Sequence, residues 1–261
     1  MAKTPKVIYY QDELNDEFSG DSIRPRPITG DYPYLKTGLC ARFRHILAYR
    51  ILATSFAFCF LKIRFHHKIV NRQVLKAAKG QGFFLYGNHT QAMADPFVPS
   101  MVCFPRAAYV VVHPNNVSMP VLGRITPYLG AMPLPDDMQA AKNFVRAIET
   151  RIEEKNCVMI YPEAHIWPYY TDIRPFLDAS FRYPVKCGAP VFCLTNTYQK
   201  RRFSKRPKMV TYVDGPFYPA PDAPPKQQRQ QLRDAVYARM KERAKQNTVC
   251  VIHYEKKEPT P

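Results

Sequence analysis

Two short segments of this sequence put acid–base side chains where a strand gives way to a loop. In Gly87-Asn88-His89-Thr90-Gln91-Ala92-Met93-Ala94-Asp95-Pro96, an imidazole precedes a carboxylate by six positions. A histidine held by a carboxylate can take a proton from a hydroxyl, the carboxylate fixing the ring tautomer and stabilising the imidazolium. A plainer alternative stays open: Pro96 biases Asp95 away from helical angles and suits a first helical position, so Asp95 reads as an N-cap and His89 as a loop residue. In Ile160-Tyr161-Pro162-Glu163-Ala164-His165, an acid follows a short apolar strand. It can face the same crevice as His89, or be a cap or a surface acid. A third segment runs from Val121-Leu122-Gly123-Arg124 to Gly130-Ala131-Met132-Pro133-Leu134, and Arg124 is its only cation. It reads either as a functional loop or as a tight helix-to-strand corner.

The elements that must position these residues alternate from residue 80 onward. Strands are expected at Gly82–Tyr86, Ala107–Val112, Ala131–Leu134, Val158–Tyr161, Pro190–Thr197 and Lys208–Val213. Helices are expected at Pro96–Phe104, Asp137–Lys155, Phe176–Lys186 and Gln227–Ala244, the last with Leu232, Val236 and Met240 at four-residue spacing. The pattern predicts a single α/β domain with a mostly buried mixed sheet flanked by helices, an N-terminal arm and a membrane-lying helix before it. The expected divisions are an arm over 1–40, a basic and apolar interfacial segment over 41–79, the core over 80–215, and a C-terminal helix and tail over 216–261. The arm, acidic to Asp21 and then rich in Pro and Gly, is expected to lie over the core as an extended cover, with Val7–Tyr10 as a short strand or an anchoring patch.

Composition narrows the class. With 46% apolar residues, 17 Tyr and 16 Phe, the 261-residue chain can fill a core, which rules out wholesale disorder. Lys and Arg number 38 against 21 Asp and Glu, a net charge of +17 that favours an anionic partner without choosing one. The basic cluster Lys200, Arg201, Arg202, Lys205, Arg206, Lys208 reads as a solvated hairpin or as a phosphate-meeting patch; no nucleic-acid motif accompanies it, so no nucleic acid is expected. Seven scattered cysteines without a C-x-x-C suggest reduced, buried thiols in a cytosolic setting, and neither a disulfide frame nor a metal site. The first twenty residues are polar and acidic and do not read as a cleaved secretory signal.

The most apolar stretch is Ile46–Phe60, bracketed by Arg42, Arg44 and His45 before it and by Lys62, Arg64, His66, His67 and Lys68 after it. As a helix its fifteen residues reach about 23 Å, short of a hydrocarbon core of about 30 Å. A helix lying in one leaflet with cationic flanks suits both length and charge. A buried core helix remains the bland alternative.

Taken together and in order, these blocks resemble the glycerolipid acyltransferase family, the PlsC-like 1-acylglycerol-3-phosphate acyltransferases and their relatives, over roughly residues 60–215. Asn88-His89 through Asp95-Pro96 resembles the family's N-H-x-x-x-x-D-P motif, with one residue more between His and Asp. Pro120–Pro135 resembles the second motif, and Tyr161-Pro162-Glu163 the start of F-P-E-G-T-R. Arg174-Pro175-Phe176 onward, through Gly188-Ala189-Pro190-Val191, resembles the last segment. The resemblance implies acyl transfer from acyl-CoA or acyl-carrier protein, as co-substrate and not as cofactor, to a lipid hydroxyl. It implies His89 as general base, Asp95 orienting it, and Glu163 helping to place the acceptor. Asn88, Arg124 and His165 join Glu163 as expected substrate-binding residues. No metal is implied, and the expected setting is the cytoplasmic face of a membrane, peripheral or monotopic, with membrane lipid as partner. Three departures stand out. The lengthened spacing leaves Ala94 where the family's Asp would fall, so the loop must absorb one residue. Ala164-His165-Ile166 replaces G-T-R, and the arginine of the second motif has no clear counterpart, Arg124 or His165 being the nearest substitutes.

Overall fold

In the computed structural model the described residues are 5–257, except 19, 21–22, 36–37, 39–48 and 50–52. Seven strands form the main sheet in the order β2-β8-β7-β3-β6-β4-β5. They are β2 (Lys68–Val70), β3 (Phe83–Gly87), β4 (Ala108–Val112), β5 (Ala131–Pro133), β6 (Cys157–Ile160), β7 (Val191–Arg201) and β8 (Ser204–Phe217). Only the β7–β8 hairpin pairs antiparallel, so β3, β6, β4, β5 and β7 all point the same way. The basic cluster 200–208 forms the tip of that hairpin.

The strands are apolar on both faces because helices cover both. Phe84, Tyr86, Val158 and Ile160 pack into one core with Phe144, Ile148, Leu232 and Val236, which come from α5 (Met138–Glu153) and α7 (Pro225–Ala244). Phe83, Leu85, Cys157 and Met159 pack into the other with Leu61, Phe65, Val98 and Val102, from α1 (Thr54–Phe65) and α2 (Val98–Cys103). Alternate residues of one strand thus serve opposite cores. Asp137 caps α5 by accepting from the Ala140 N–H at 2.6 Å, and Ala140, Phe144, Ala147 and Ile148 form its buried stripe. Gly130 sits at φ +88°, where a Cβ would fall 2.7 Å from the Ala108 carbonyl oxygen, so this corner into β5 requires glycine.

The strand expected near the amino end is present. Lys6–Tyr10 is a strand, β1, paired parallel with β9 (Ile252–Lys256) in a separate two-stranded sheet. The polar β9 carries no apolar run and was not among the expected strands.

The helix expected over 46–60 lies partly outside the described residues. The described helix, α1, covers 54–65, and only Ala57, Leu61 and Phe65 of it are buried. Phe56, Phe58 and Ile63 are exposed. Cys59 is exposed on the same helix and Cys250 near the carboxyl end, whereas Cys103, Cys157 and Cys193 are buried. The expectation of buried thiols is thus corrected for two: a Phe-Cys-Phe setting marks burial only if the helix is covered all round, and α1 is not. Among the described residues no helix is long and apolar enough to cross a membrane.

Candidate active site

β3 ends at Gly87, where a Cβ would fall 2.6 Å from Met159 Cε and 2.7 Å from Leu194 Cδ1. The chain leaves the sheet there, and residues 88–97 form a loop of turns before α2. Asn88 fixes its start to the neighbouring strand. The Asn88 amide donates to the Asn196 carbonyl at 3.0 Å, and the Asn196 N–H donates to Asn88 Oδ1 at 2.8 Å. Asn88 therefore serves the loop's anchorage, buried against β7.

The added residue between His89 and Asp95 is absorbed within the loop, and the two side chains meet at 2.8 Å, His89 Nδ1 to Asp95 Oδ2. Asp95 is not an N-cap, as the local sequence suggested. α2 begins at Val98, and the Asp95 carboxylate turns back over its own loop, where Oδ2 also accepts the Gln91 N–H at 2.8 Å. Oδ1 accepts from Asn196 Nδ2 at 3.2 Å. An ionised carboxylate only accepts, so the ring nitrogen facing Asp95 is the donor, which fixes the tautomer. His89 holds its proton on Nδ1 and presents the Nε2 lone pair, and Nε2 has no hydrogen-bond partner among the described residues. The His89 side chain is 18% exposed against 0% for Asp95, so the imidazole is the member of the pair that can meet a substrate.

The pair is fixed from several further directions. The Tyr161 ring stacks on the imidazole, centroids 4.4 Å apart and planes 16° apart, and its hydroxyl donates to the Asp95 carbonyl at 2.7 Å. Burial, then the Asp95 charge, pushes the Tyr161 hydroxyl well above its ordinary pKa, so it remains a donor. Asn196 Oδ1 accepts from the Thr211 hydroxyl at 2.6 Å, and Thr211 Oγ1 lies 2.7 Å from His67 Nε2. His67 is buried, and burial, aided by Lys62, lowers its pKa to about 4. It is therefore neutral, and with the Thr211 proton already committed, its Nε2–H donates to Thr211. A directed chain of donors, His67 to Thr211 to Asn196, thus ends on Asp95.

Glu163 lies behind His89. Both its oxygens are engaged, Oε2 by the His89 N–H at 2.9 Å and Oε1 by the Arg174 N–H at 3.1 Å. The Arg174 guanidinium stands 3.8 Å from Oε2, and both side chains are fully buried. Burial raises the pKa of Glu163, while Arg174 and the two N–H donors oppose the rise. Arg174 also donates to the carbonyls of Glu163, His165 and Glu13, and lies over the Trp167 ring at 4.9 Å. Glu163 thus braces the backbone of the base; its carboxylate is spent there.

His165 and Arg124 are not brought to His89 by any contact. His165 Nδ1 pairs with Glu17 of the arm at 3.1 Å, next to the Ile166 N–H, which also donates to Glu17. The Trp167 indole donates to the Asp16 carbonyl at 2.8 Å. Arg124 is exposed on α4 (Leu122–Ile125), in the corner between β4 and β5. Sequence reasoning missed Asn196, Thr211, His67 and Arg174 as parts of this assembly. Only Arg174 carried a signal, standing just before the Pro-Phe pair that the resemblance had already marked. Among the described residues no group of three His, Cys, Asp or Glu side chains is arranged to hold a metal.

A family model described as Acyltransferase matches residues 62–196, just over half of the chain. No curated protein matches the sequence. Among solved structures, the crystal structure of the 1-acyl-sn-glycerophosphate (LPA) acyltransferase PlsC from Thermotoga maritima is similar at a TM-score of 0.57 and 13% identity, over 83% of this chain and 87% of that one. At that identity the likeness is one of fold, and it extends to the mixed sheet flanked by helices. The pilus retraction motor PilT with bound ADP aligns at a TM-score of 0.32 and 10% identity, over 67% and 58% of the two chains, too distant to carry an argument.

Proposed function

The chain belongs to the acyltransferase family, and from that premise we propose that it moves a fatty acyl group from a thioester, acyl-CoA or acyl-carrier protein, to the hydroxyl of a lysophospholipid such as 1-acylglycerol-3-phosphate or a related acceptor. The observation that carries the proposal is the 2.8 Å contact of His89 with Asp95, which leaves Nε2 without a hydrogen-bond partner among the described residues. Nε2 takes the proton of the acceptor hydroxyl as its oxygen attacks the thioester carbonyl, and Asp95 stabilises the imidazolium. The tetrahedral intermediate collapses with loss of the thiolate, which takes the proton back from the imidazolium and leaves as free thiol. One base suffices because the thioester is already activated, and no covalent acyl-enzyme is required.

The reading places the reaction at the cytoplasmic face of a membrane. Its support is α1, where exposed Phe56, Phe58 and Ile63 share a helix with Lys62 and Arg64. Phe56 and Phe60 lie 5.5 Å and 5.7 Å from Phe97, which directly precedes α2 at the end of the catalytic loop. An apolar helix with a cationic last turn suits an anionic interface, and here it would bring the base to an insoluble acceptor.

The rival reading is a membrane-bound binding or scaffold protein of the same fold that has lost catalysis. It expects diverging His89 and Asp95 side chains, and their contact favours the enzyme. The deciding experiment measures free thiol released from a panel of acyl-CoAs and acyl-carrier-protein thioesters, with lysophosphatidic acid and other lipid acceptors, for wild type and His89→Ala. Acceptor-dependent release that the substitution abolishes is expected. Silence with both kinds of donor would turn the conclusion to the scaffold.

A further inference from the structure

From the corner between β4 and β5 we infer that residues 119–125, flanked by Arg24 and Arg26 of the arm, form a second lipid contact that docks onto an anionic bilayer. The inference rests on the membrane-acting reading above and adds a contact separate from α1.

Backbone conformation is the first observation. Val121 has φ +62° and ψ −62°, and the Leu122 N–H donates across it to the Pro120 carbonyl at 2.6 Å. That is a γ-turn of the strained form, centred on a β-branched residue that rarely adopts positive φ. Glycine would sit there without strain, yet the position holds valine. The side chain is not wanted for the core either: Val121 is 75% exposed, Leu122 54% and Ile125 42%. A strained turn that lifts three apolar side chains out of the protein needs something apolar to receive them.

Charge gives the second observation. The arm is stitched to the corner by the Arg26 N–H, which donates to Ser118 Oγ at 2.9 Å. Arg24, Arg26 and Arg124 line one groove of about 810 Å³ beside the turn, together with Val117, Met119 and Ile125. No carboxylate lines it, and among the described residues none of the three guanidiniums is in an ion pair. The nearby Asp136 and Asp137 are occupied by the N–H groups of Ile28, Gly30 and Ala140. Apolar side chains at a tip with unpaired cations around its base match a bilayer, whose acyl boundary lies beneath anionic headgroups. A soluble polyanion would satisfy the arginines but leave Val121 and Leu122 in water.

Placement is the third. The corner follows the carboxyl end of β4, and His89 follows that of β3. Both strands run parallel with β6 between them, so tip and base share one edge of the sheet. Val117 beneath the corner belongs to one core, while α1 belongs to the other. The two lipid contacts would therefore grip the interface from opposite faces of the sheet, with the base between them.

The test is co-sedimentation of the full chain with phosphatidylcholine vesicles, plain or one-third phosphatidylglycerol. Arg24→Gln with Arg26→Gln should lower the partition coefficient on the anionic vesicles about fivefold for each cation removed, and the loss should vanish at high salt. Val121→Gly relieves the turn, so it should melt no lower than wild type and still bind more weakly. If wild type binds anionic vesicles and these variants bind equally well, the second contact is overturned and α1 alone serves. If wild type binds no vesicles at all, the membrane-acting reading falls and this inference with it. A variant effect confined to self-association in light scattering would assign the tip to a second copy of the chain and overturn the proposal.

Discussion

Asn196 is 1% exposed and lies behind the catalytic pair, yet alanine in its place should slow the reaction without weakening substrate binding. Four of its bonds bear on the magnitude. Its amide donates to Asp95 Oδ1 at 3.2 Å, a charge-assisted bond worth about 1.5–3 kcal/mol. Its carbonyl oxygen accepts the Thr211 hydroxyl at 2.6 Å, and stranding that buried donor costs about 1–3 kcal/mol more. The backbone exchange with Asn88 survives the substitution. Stability should therefore fall by about 3 kcal/mol or more, while Asp95 keeps the His89 ring and the Gln91 N–H on Oδ2. With Oδ1 released the carboxylate can swing, and slack of this kind is worth about 10- to 100-fold in kcat. Thr211→Val, one bond further out, should cost less in kcat. The assay is thiol release at saturating donor and acceptor, with KM alongside and urea unfolding for stability. An Asn196→Ala protein that loses the expected stability but keeps wild-type kcat, or whose loss lies in KM alone, would refute the positioning role.

The remaining predictions concern the parts around that pair. Asp95→Asn cannot accept and stabilise the imidazolium as the carboxylate does, and should lower kcat by a factor on the order of 10³ or more while leaving the fold intact by circular dichroism. Arg174→Met leaves the Glu163 carboxylate buried without its counter-charge and should cost about 3–5 kcal/mol in urea unfolding; adding Glu163→Gln should recover part of it, and an additive double mutant would count against the pairing. His67 has a folded pKa of about 4 against 6.5 unfolded, so its contribution is present above pH 6.5 and lost as pH falls toward 4. Wild type should lose roughly 3 kcal/mol more than His67→Gln over that window, as unfolding free energies at several pH values would show. Gly130→Ala, strained at φ +88° and pressed on the Ala108 carbonyl, should destabilise by about 2 kcal/mol or more in thermal unfolding.

The apolar runs GFFLY, AAYVVV and VMIY were legible as strands because strands covered on both faces leave little room for polar residues. Asp137 and the spacing of Phe144 and Ile148 likewise marked α5. His89, Asp95 and Glu163 could be found because each follows such a strand at its carboxyl end. Their supports could not. Asn196 and Thr211 are polar residues within β7 and β8, and their meaning depends on register: Asn196 stands opposite Thr211 across the hairpin. His67 read as part of a basic flank, but a left-handed His66 at φ 45° ends α1 and delivers the next residue inward. The direction of Asp95 was hidden for a related reason. Local preference favours a cap before Pro96, whereas the donors that turn it back include one from β7. Strand β9, Ile-His-Tyr-Glu-Lys, alternates only over Ile252 and Tyr254, too short a pattern to mark a strand, and acquires its partner from the far end of the chain.

That pairing of β1 with β9 has a consequence for the order in which the molecule is completed. The strands of the main sheet and the residues of both cores all precede β9 in the chain and can pack without it. β1 is made long before β9, its strand partner among the described residues, and must wait for it. The segment it carries supplies the carbonyls of Glu13 and Asp16 to Arg174 and Trp167, the residues that close over Glu163. Closure across nearly the whole sequence is entropically slow compared with the local contacts of the sheet. The brace behind His89 is therefore finished after the sheet it leans on. A truncation removing only β9 should leave the sheet formed and the amino-terminal segment unseated, with Trp167 fluorescence and the protease sensitivity of residues 5–18 reporting the difference.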